Sequence, residues 1–289
     1  MSKASPAERG AQAAATAAVV RTVMFISDGT GITAETLGHT LLTQFDVEFR
    51  EVTLPYVDSI DAARRVVDKV RTLVSAGHPR PIIFSSVVRD DVRAELASSE
   101  ATFFDVFDAF IGPLEQELGM TASHAIGQAH GLRNPQVYDV RIDAINFTLQ
   151  HDDGASFSHY SRADVIIIGV SRTAKTPVSL YLALQYGIFT ANYPLTEDDI
   201  MEKGLPRALR GYKDKLYGLS ISAERLHTIR QERRPNSRYA SMRQCQLEVM
   251  RAEALFRSNT IPWLNSTTVS IEEIATTIMH ERGLRRRVQ

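Results

Sequence analysis

The sequence predicts an α/β protein with parallel sheets, in which an N-terminal α/β region is followed by a second α/β domain built around a phosphate-binding loop. Three observations carry this. Short, largely apolar runs, Val165 to Ile168 and PIIFSSV from Pro81 to Val87, read as strands buried on both faces. Segments with apolar residues at helical spacing, such as Val66, Val67, Val70, Leu73 and Val74, alternate with them. Two glycine-bearing loops, Asp28 to Gly31 and Gly169 to Thr176, each join a strand to a helix. The boundaries that follow are a disordered leader at 1–20, an N-terminal α/β domain with its connecting segment at 21–160, and the second domain at 161–289.

In order, TVMFISD from Thr22 to Asp28 is a strand, and a helix follows from Ala34 to Gln44. A strand near Val47 to Thr53, a helix near Ser59 to Val74, the strand at Pro81 and a helix from Arg89 to Ser98 continue the alternation, and ATFFDVF leads to a helix around Pro113 to Leu118. The middle, Met120 to Arg162, is less regular, with a helix from Asp139 to Leu149 ending at His151, Asp152, Asp153 and Gly154. A zinc site drawn from His124, His130, His151, Asp139, Asp143, Asp152 and Asp153 lacks the short helical ligand spacing of a metalloenzyme. After the second loop come a strand in GIFTANYPL, a polar stretch with a short helix, a strand from Lys215 to Ser222 and a helix from Ala223. A last strand lies in TIPWLNST, and Ser270 caps the helix that follows.

Gly169, Val170, Ser171, Arg172, Thr173, Ala174, Lys175 and Thr176 match the Walker pattern everywhere except at Ala174. Gly169 permits a sharp turn after the strand. Loop N–H groups and a helix N-terminus can then converge on phosphate oxygens. Lys175 is placed to contact the terminal phosphate and Thr176 to ligate Mg²⁺, while Pro177 suits a first helical turn. A left-handed conformation at Ala174 would cost on the order of 1 kcal/mol. The plain alternative is an ordinary strand–turn–helix unit. Asp28 is a candidate to hold a metal or accept a proton, or else belongs to a turn and helix cap. Asp152 and Asp153 offer the same choice against a solvated helix end. Six arginines, Arg225, Arg230, Arg233, Arg234, Arg238 and Arg243, flank Pro235 and Asn236. They resemble the lid of small P-loop kinases, which makes the second domain P-loop kinase-like; a solvated helix face is the alternative.

Composition sets limits. At 289 residues, 44% hydrophobic and 23% charged, the chain can bury a sizeable core. A net charge of −1 gives no global electrostatic ground for a nucleic-acid or membrane partner. The single cysteine, Cys245, excludes an intrachain disulfide, reads as a small core residue and fits a reducing cytoplasm. The alanine-rich stretch from Ala11 to Val20 lacks a signal-peptide core.

Six separated motifs, in order, add a resemblance: FISDGTGITAE (Phe25 to Glu35), AHGL (Ala129 to Leu132), HDDG (His151 to Gly154), GVSRTAKTP (Gly169 to Pro177), NSRYAS (Asn236 to Ser241) and IPWLNST (Ile261 to Thr267). Together they resemble the bacterial regulatory proteins of phosphoenolpyruvate synthase, related to regulators of pyruvate phosphate dikinase. The resemblance implies a bifunctional enzyme. Such an enzyme phosphorylates a threonine of the synthase with ADP as donor, inactivating it, and removes the phosphate by phosphorolysis with inorganic phosphate, releasing pyrophosphate. It implies ADP at Gly169 through Thr176; for that chemistry the residues themselves assign Lys175 and the loop amides to the phosphates, Thr176 to Mg²⁺, Arg172 and an arginine from 233 to 243 to the transferring group, and one of Asp28, Asp152 or Asp153 to the metal or the threonine hydroxyl. The implied partner is phosphoenolpyruvate synthase, which can first need phosphate on its own catalytic histidine; a homodimer is a further expectation. A regulator of the dikinase, a P-loop small-molecule kinase and a non-catalytic nucleotide sensor are the rivals.

Overall fold

The computed structural model describes residues 20–122, 135–154, 156–201 and 204–288. The leader at 1–20 falls almost wholly outside them, as do His124, His130 and the AHGL motif. The chain divides into two compact units between Gly131 and Leu132. The helix Pro135–Gln150 therefore falls in the second unit. Its packing gives the reason: Phe147 belongs to the same apolar cluster as strand residues Ile166 and Ile168.

The first unit runs β1 (Arg21–Ile26), α1 (Ile32–Leu42), β2 (Phe49–Leu54), α2 (Ile60–Ser75), β3 (Ile82–Ser85), α3 (Asp90–Ala97), β4 (Thr102–Asp105) and α4 (Asp108–Leu118). Its sheet is parallel throughout, in the order β2-β1-β3-β4. Met24 and Ile26 point to one face and pack with Val66 and Val70 of α2 and Leu96 of α3. Val23 and Phe25 point to the other and pack with Ala34 and Leu42 of α1. Covering on both faces is why Val23 to Ile26 of β1 form a continuous apolar run. α4 begins five residues before the proline expected to start it. The carboxylate of Asp105 accepts from the N–H groups of Phe107 and Asp108 (both 2.9 Å), satisfying two donors at that start.

The second unit runs α5 (Pro135–Gln150), β5 (Val165–Gly169), α6 (Lys175–Tyr186), β6 (Thr190–Pro194), α7 (Glu197–Met201), β7 (Leu216–Ser220), α8 (Ala223–Arg233), α9 (Met242–Ser258), β8 (Trp263–Asn265) and α10 (Ile271–Glu281). Its sheet is again all parallel, in the order β6-β5-β7-β8. Ile166 and Ile168 pack with Leu226 of α8 and Cys245, Ala252 and Phe256 of α9. Val165 and Ile167 pack with Val178 and Leu182 of α6 and Ile274 and Ile278 of α10. Cys245 is a buried core residue whose thiol is pushed up by that burial. Ser270 caps α10 in a full capping box with Glu273. Each sheet reverses its winding direction beside its first strand, between β1 and β3 and between β5 and β7. A crevice opens at such a point, at the strand ends where loops diverge.

Candidate functional site

β5 delivers the chain to that crevice through five buried residues, and Gly169 ends it. A Cβ on Gly169 would lie 2.4 Å from the carbonyl oxygen of Leu219 in β7 and 2.8 Å from Thr173 Oγ1, so only glycine fits. The loop then folds on its own carbonyls. Val170 O accepts from Thr173 Oγ1 and from Lys175 Nζ, each at 3.0 Å. Arg172 (φ 80°) and Ala174 (φ 64°) are both left-handed, and Ala174 is the residue the motif marked as irregular. No side chain caps α6, leaving its first N–H groups for a ligand.

The HDDG turn comes to this loop. Thr176 Oγ1 donates to Asp152 Oδ1 at 2.8 Å, and the Asn192 amide of β6 donates to the same carboxylate oxygen. Asn192 Oδ1 in turn accepts from the Asp153 N–H (2.8 Å), where Asp153 is left-handed at φ 50°. His151, buried, sets both ring nitrogens against carbonyls, those of Phe147 (2.7 Å) and Ser158 (2.6 Å), and so secures the turn. A cavity of about 430 Å³ results, lined among others by Asp153, Ser171, Arg172, Lys175, Thr176 and Arg233. That volume suits a nucleotide-sized ligand. Lys175 is 5% exposed. Desolvation brings its ammonium down to about 8, against the pull of Asp153 and Asp152, which raise it, and with Arg230 and Arg172 adding to the fall.

For Mg²⁺ the available donors are the hydroxyl of Thr176 and the carboxylate of Asp152. These are hard oxygens with one negative charge, a set that leaves room for water and ligand phosphates and so fits the ion. Among the described residues no group of three or more His, Cys, Asp and Glu side chains could hold a metal by itself, and no helix is long and apolar enough to cross a membrane.

Asp28 sits in the first unit at the end of β1, where its Oδ2 accepts from the Val88 N–H at 2.8 Å and ties the loop after β1 to the one after β3. The arginines sort differently from a uniform lid. Arg233 lines the cavity, Arg238 pairs with Glu197 (2.6 Å), and Arg230 is fully buried. One partner of the site escaped the sequence, Asn192, whose polar side chain in a strand carried no motif; Arg230 stood among the six arginines, but its burial against Glu248, eighteen positions on, was not legible.

The model of the kinase/pyrophosphorylase family matches residues 23–279. A protein of Alkalilimnicola ehrlichii is 58% identical over 268 residues, 93% of this chain and 98% of the relative. Proteins of Halorhodospira halophila and Hahella chejuensis are 54% and 49% identical, each over 93% of this chain and 99% of the relative. All three carry the name "putative phosphoenolpyruvate synthase regulatory protein". The chain belongs to the kinase/pyrophosphorylase family, and is a kinase-type enzyme.

Proposed function

We propose that the protein regulates phosphoenolpyruvate synthase by two opposed phosphoryl transfers at the Gly169–Thr176 loop. In one, the β-phosphoryl of ADP passes to a target threonine; in the other, inorganic phosphate takes it back as pyrophosphate. The observation that carries this is the meeting of Thr176, Lys175 and the HDDG turn around one cavity, with the Thr176 hydroxyl 2.8 Å from Asp152. The names of the relatives supply the target protein.

Phosphoryl transfer asks for position and charge neutralisation. The loop amides and the start of α6 receive the ADP phosphates, and Lys175 and Arg172, with Arg233 in the same cavity lining, neutralise the oxygens of the transferring group. Thr176 and Asp152 would hold Mg²⁺, which would supply positive charge to neutralise the phosphates. Asp153 accepts the threonine proton as the threonine oxygen bonds to the β-phosphorus and the bond from that phosphorus to the bridging oxygen breaks, releasing AMP. We assign that proton to Asp153 in preference to Asp28 because Asp153 lines the cavity that holds Lys175. In reverse, a phosphate oxygen attacks the phosphothreonine phosphorus, the threonine oxygen leaves and regains a proton, and pyrophosphate departs. The emptied β-phosphate position accommodates the attacking phosphate.

The test is transfer from labelled ADP and labelled ATP to purified phosphoenolpyruvate synthase, including the form phosphorylated on its catalytic histidine. Label on threonine from ADP alone, released as pyrophosphate on adding phosphate and absent with Lys175→Ala, is the expected result. Transfer only from ATP to a small acceptor, or ADP binding with no transfer to any form of the synthase, refutes it.

A further inference from the structure

Among the described residues Arg230 is the largest wholly buried side chain, and it lies on α8, one helical turn before Arg233. Its Nη2 donates to Glu248 Oε2 of α9 at 2.6 Å and to the Ser171 carbonyl of the Gly169–Thr176 loop at 3.2 Å. Its Nη1 donates to the Tyr239 carbonyl at 3.1 Å, and the guanidinium stacks 4.0 Å above the Tyr239 ring. The Tyr239 hydroxyl then donates to Ser171 Oγ at 3.0 Å. Gln244 closes the group by donating to the other oxygen of Glu248 at 2.9 Å.

Ser171 is thus gripped twice, by its carbonyl and by its side chain, from a segment about sixty residues later in the chain. A buried guanidinium is an expensive way to fill space. An apolar side chain would occupy the place without that cost. What an apolar side chain cannot do is hold a carbonyl. A trans peptide turns its C=O and the next N–H to opposite sides. With Ser171 O drawn to Arg230, the Arg172 N–H is turned the other way, and the left-handed Arg172 is the backbone state that goes with it. Val170 O, held by Thr173 and Lys175, sets the Ser171 N–H by the same rule.

We infer that Arg230, acting with Tyr239, is the positioning residue that presents the Ser171–Arg172 amides of the loop to a ligand's phosphates. It reaches no ligand itself, and the inference rests on the loop being the nucleotide site. Mg·ADP is the probe, titrated calorimetrically into the full-length wild type, Tyr239→Phe, Arg230→Lys and, as a control, the exposed Arg285→Lys. Tyr239→Phe keeps the ring and loses only the hydroxyl. Its dissociation constant is expected to rise about five-fold, with the thermal midpoint near wild type, and kcat/KM to fall by the same factor. Arg230→Lys, which cannot reproduce the fork, is expected to lose about ten-fold or more; Arg285→Lys is expected to match wild type. Should Arg230→Lys fail to fold, Tyr239→Phe alone decides. Wild-type binding with an unchanged constant in Tyr239→Phe overturns this inference and spares the nucleotide site. No binding of Mg·ADP by the wild type overturns both.

Discussion

Lys175 is poised by burial to change charge near neutral pH, and its sign follows from where the charge is wanted. The folded chain releases this proton at about 8, whereas an unfolded lysine keeps it to about 10.5. Between those values the unfolded state binds more protons, so this group makes folding more favourable as pH rises, and Lys175→Met removes that part of the slope in urea midpoints taken from pH 7.5 to 10.5. Nucleotide affinity runs the opposite way, because the phosphates need the charged ammonium. The dissociation constant for Mg·ADP is expected to rise with pH above about 8, and Lys175→Met is expected to bind weakly at every pH. A flat wild-type profile across that range would exclude Lys175 as a phosphate contact. Asp152 sits beside it with a different task. Asp152→Asn is expected to leave metal-free ADP binding near wild type and to abolish the tightening that Mg²⁺ brings, measured by titration with and without the ion.

At the scale of the strand–loop–helix element, two loop positions respond oppositely to one methyl group. Gly169→Ala places a Cβ 2.4 Å from a backbone carbonyl of β7, which cannot yield without moving the strand, and a loss of about 2–3 kcal/mol in urea denaturation is expected. Ala174→Gly relieves a left-handed residue at the start of α6; after the entropy of glycine is subtracted, a gain of about 0.5 kcal/mol is expected. Both positions were legible from the sequence. A buried apolar strand, a glycine and a Lys-Thr-Pro helix start are local signals, and the mismatch at Ala174 pointed to the strain now seen there. The partners of the loop were legible only as separate motifs. HDDG and NSRYAS stood out as residue strings, but what joins Asp152 to Thr176 and Tyr239 to Ser171 is chain folding over 24 and 68 positions. The basic stretch read as lid or solvated face because composition does not tell that Glu248 and a tyrosine ring wait to bury Arg230.

Over the whole molecule, two parallel sheets of the same strand order each carry a glycine loop at the end of the first strand, yet the loops are furnished differently. The loop after β5 has a lysine, a hydroxyl and a neighbouring carboxylate, all directed to one cavity. The loop after β1 has Asp28, with one carboxylate oxygen already taken by Val88, and no lysine or arginine between Ser27 and Thr33 to meet a phosphate. Their cores are also separate, each apolar cluster drawing its residues from one unit. A ligand that binds only the folded second unit stabilises that unit by about 2.7 kcal/mol at a hundred times its dissociation constant. Hydrogen exchange with Mg·ADP at that level is therefore expected to slow amides of β5, β7, α6 and the Asp152 turn, and to leave β1, β3 and the loop from Ser27 to Gly31 unchanged. Equal slowing in both sheets would mean that the chain opens as one cooperative body. Slowing confined to Ser27–Gly31 would move the nucleotide to Asp28 and take the central role from Lys175.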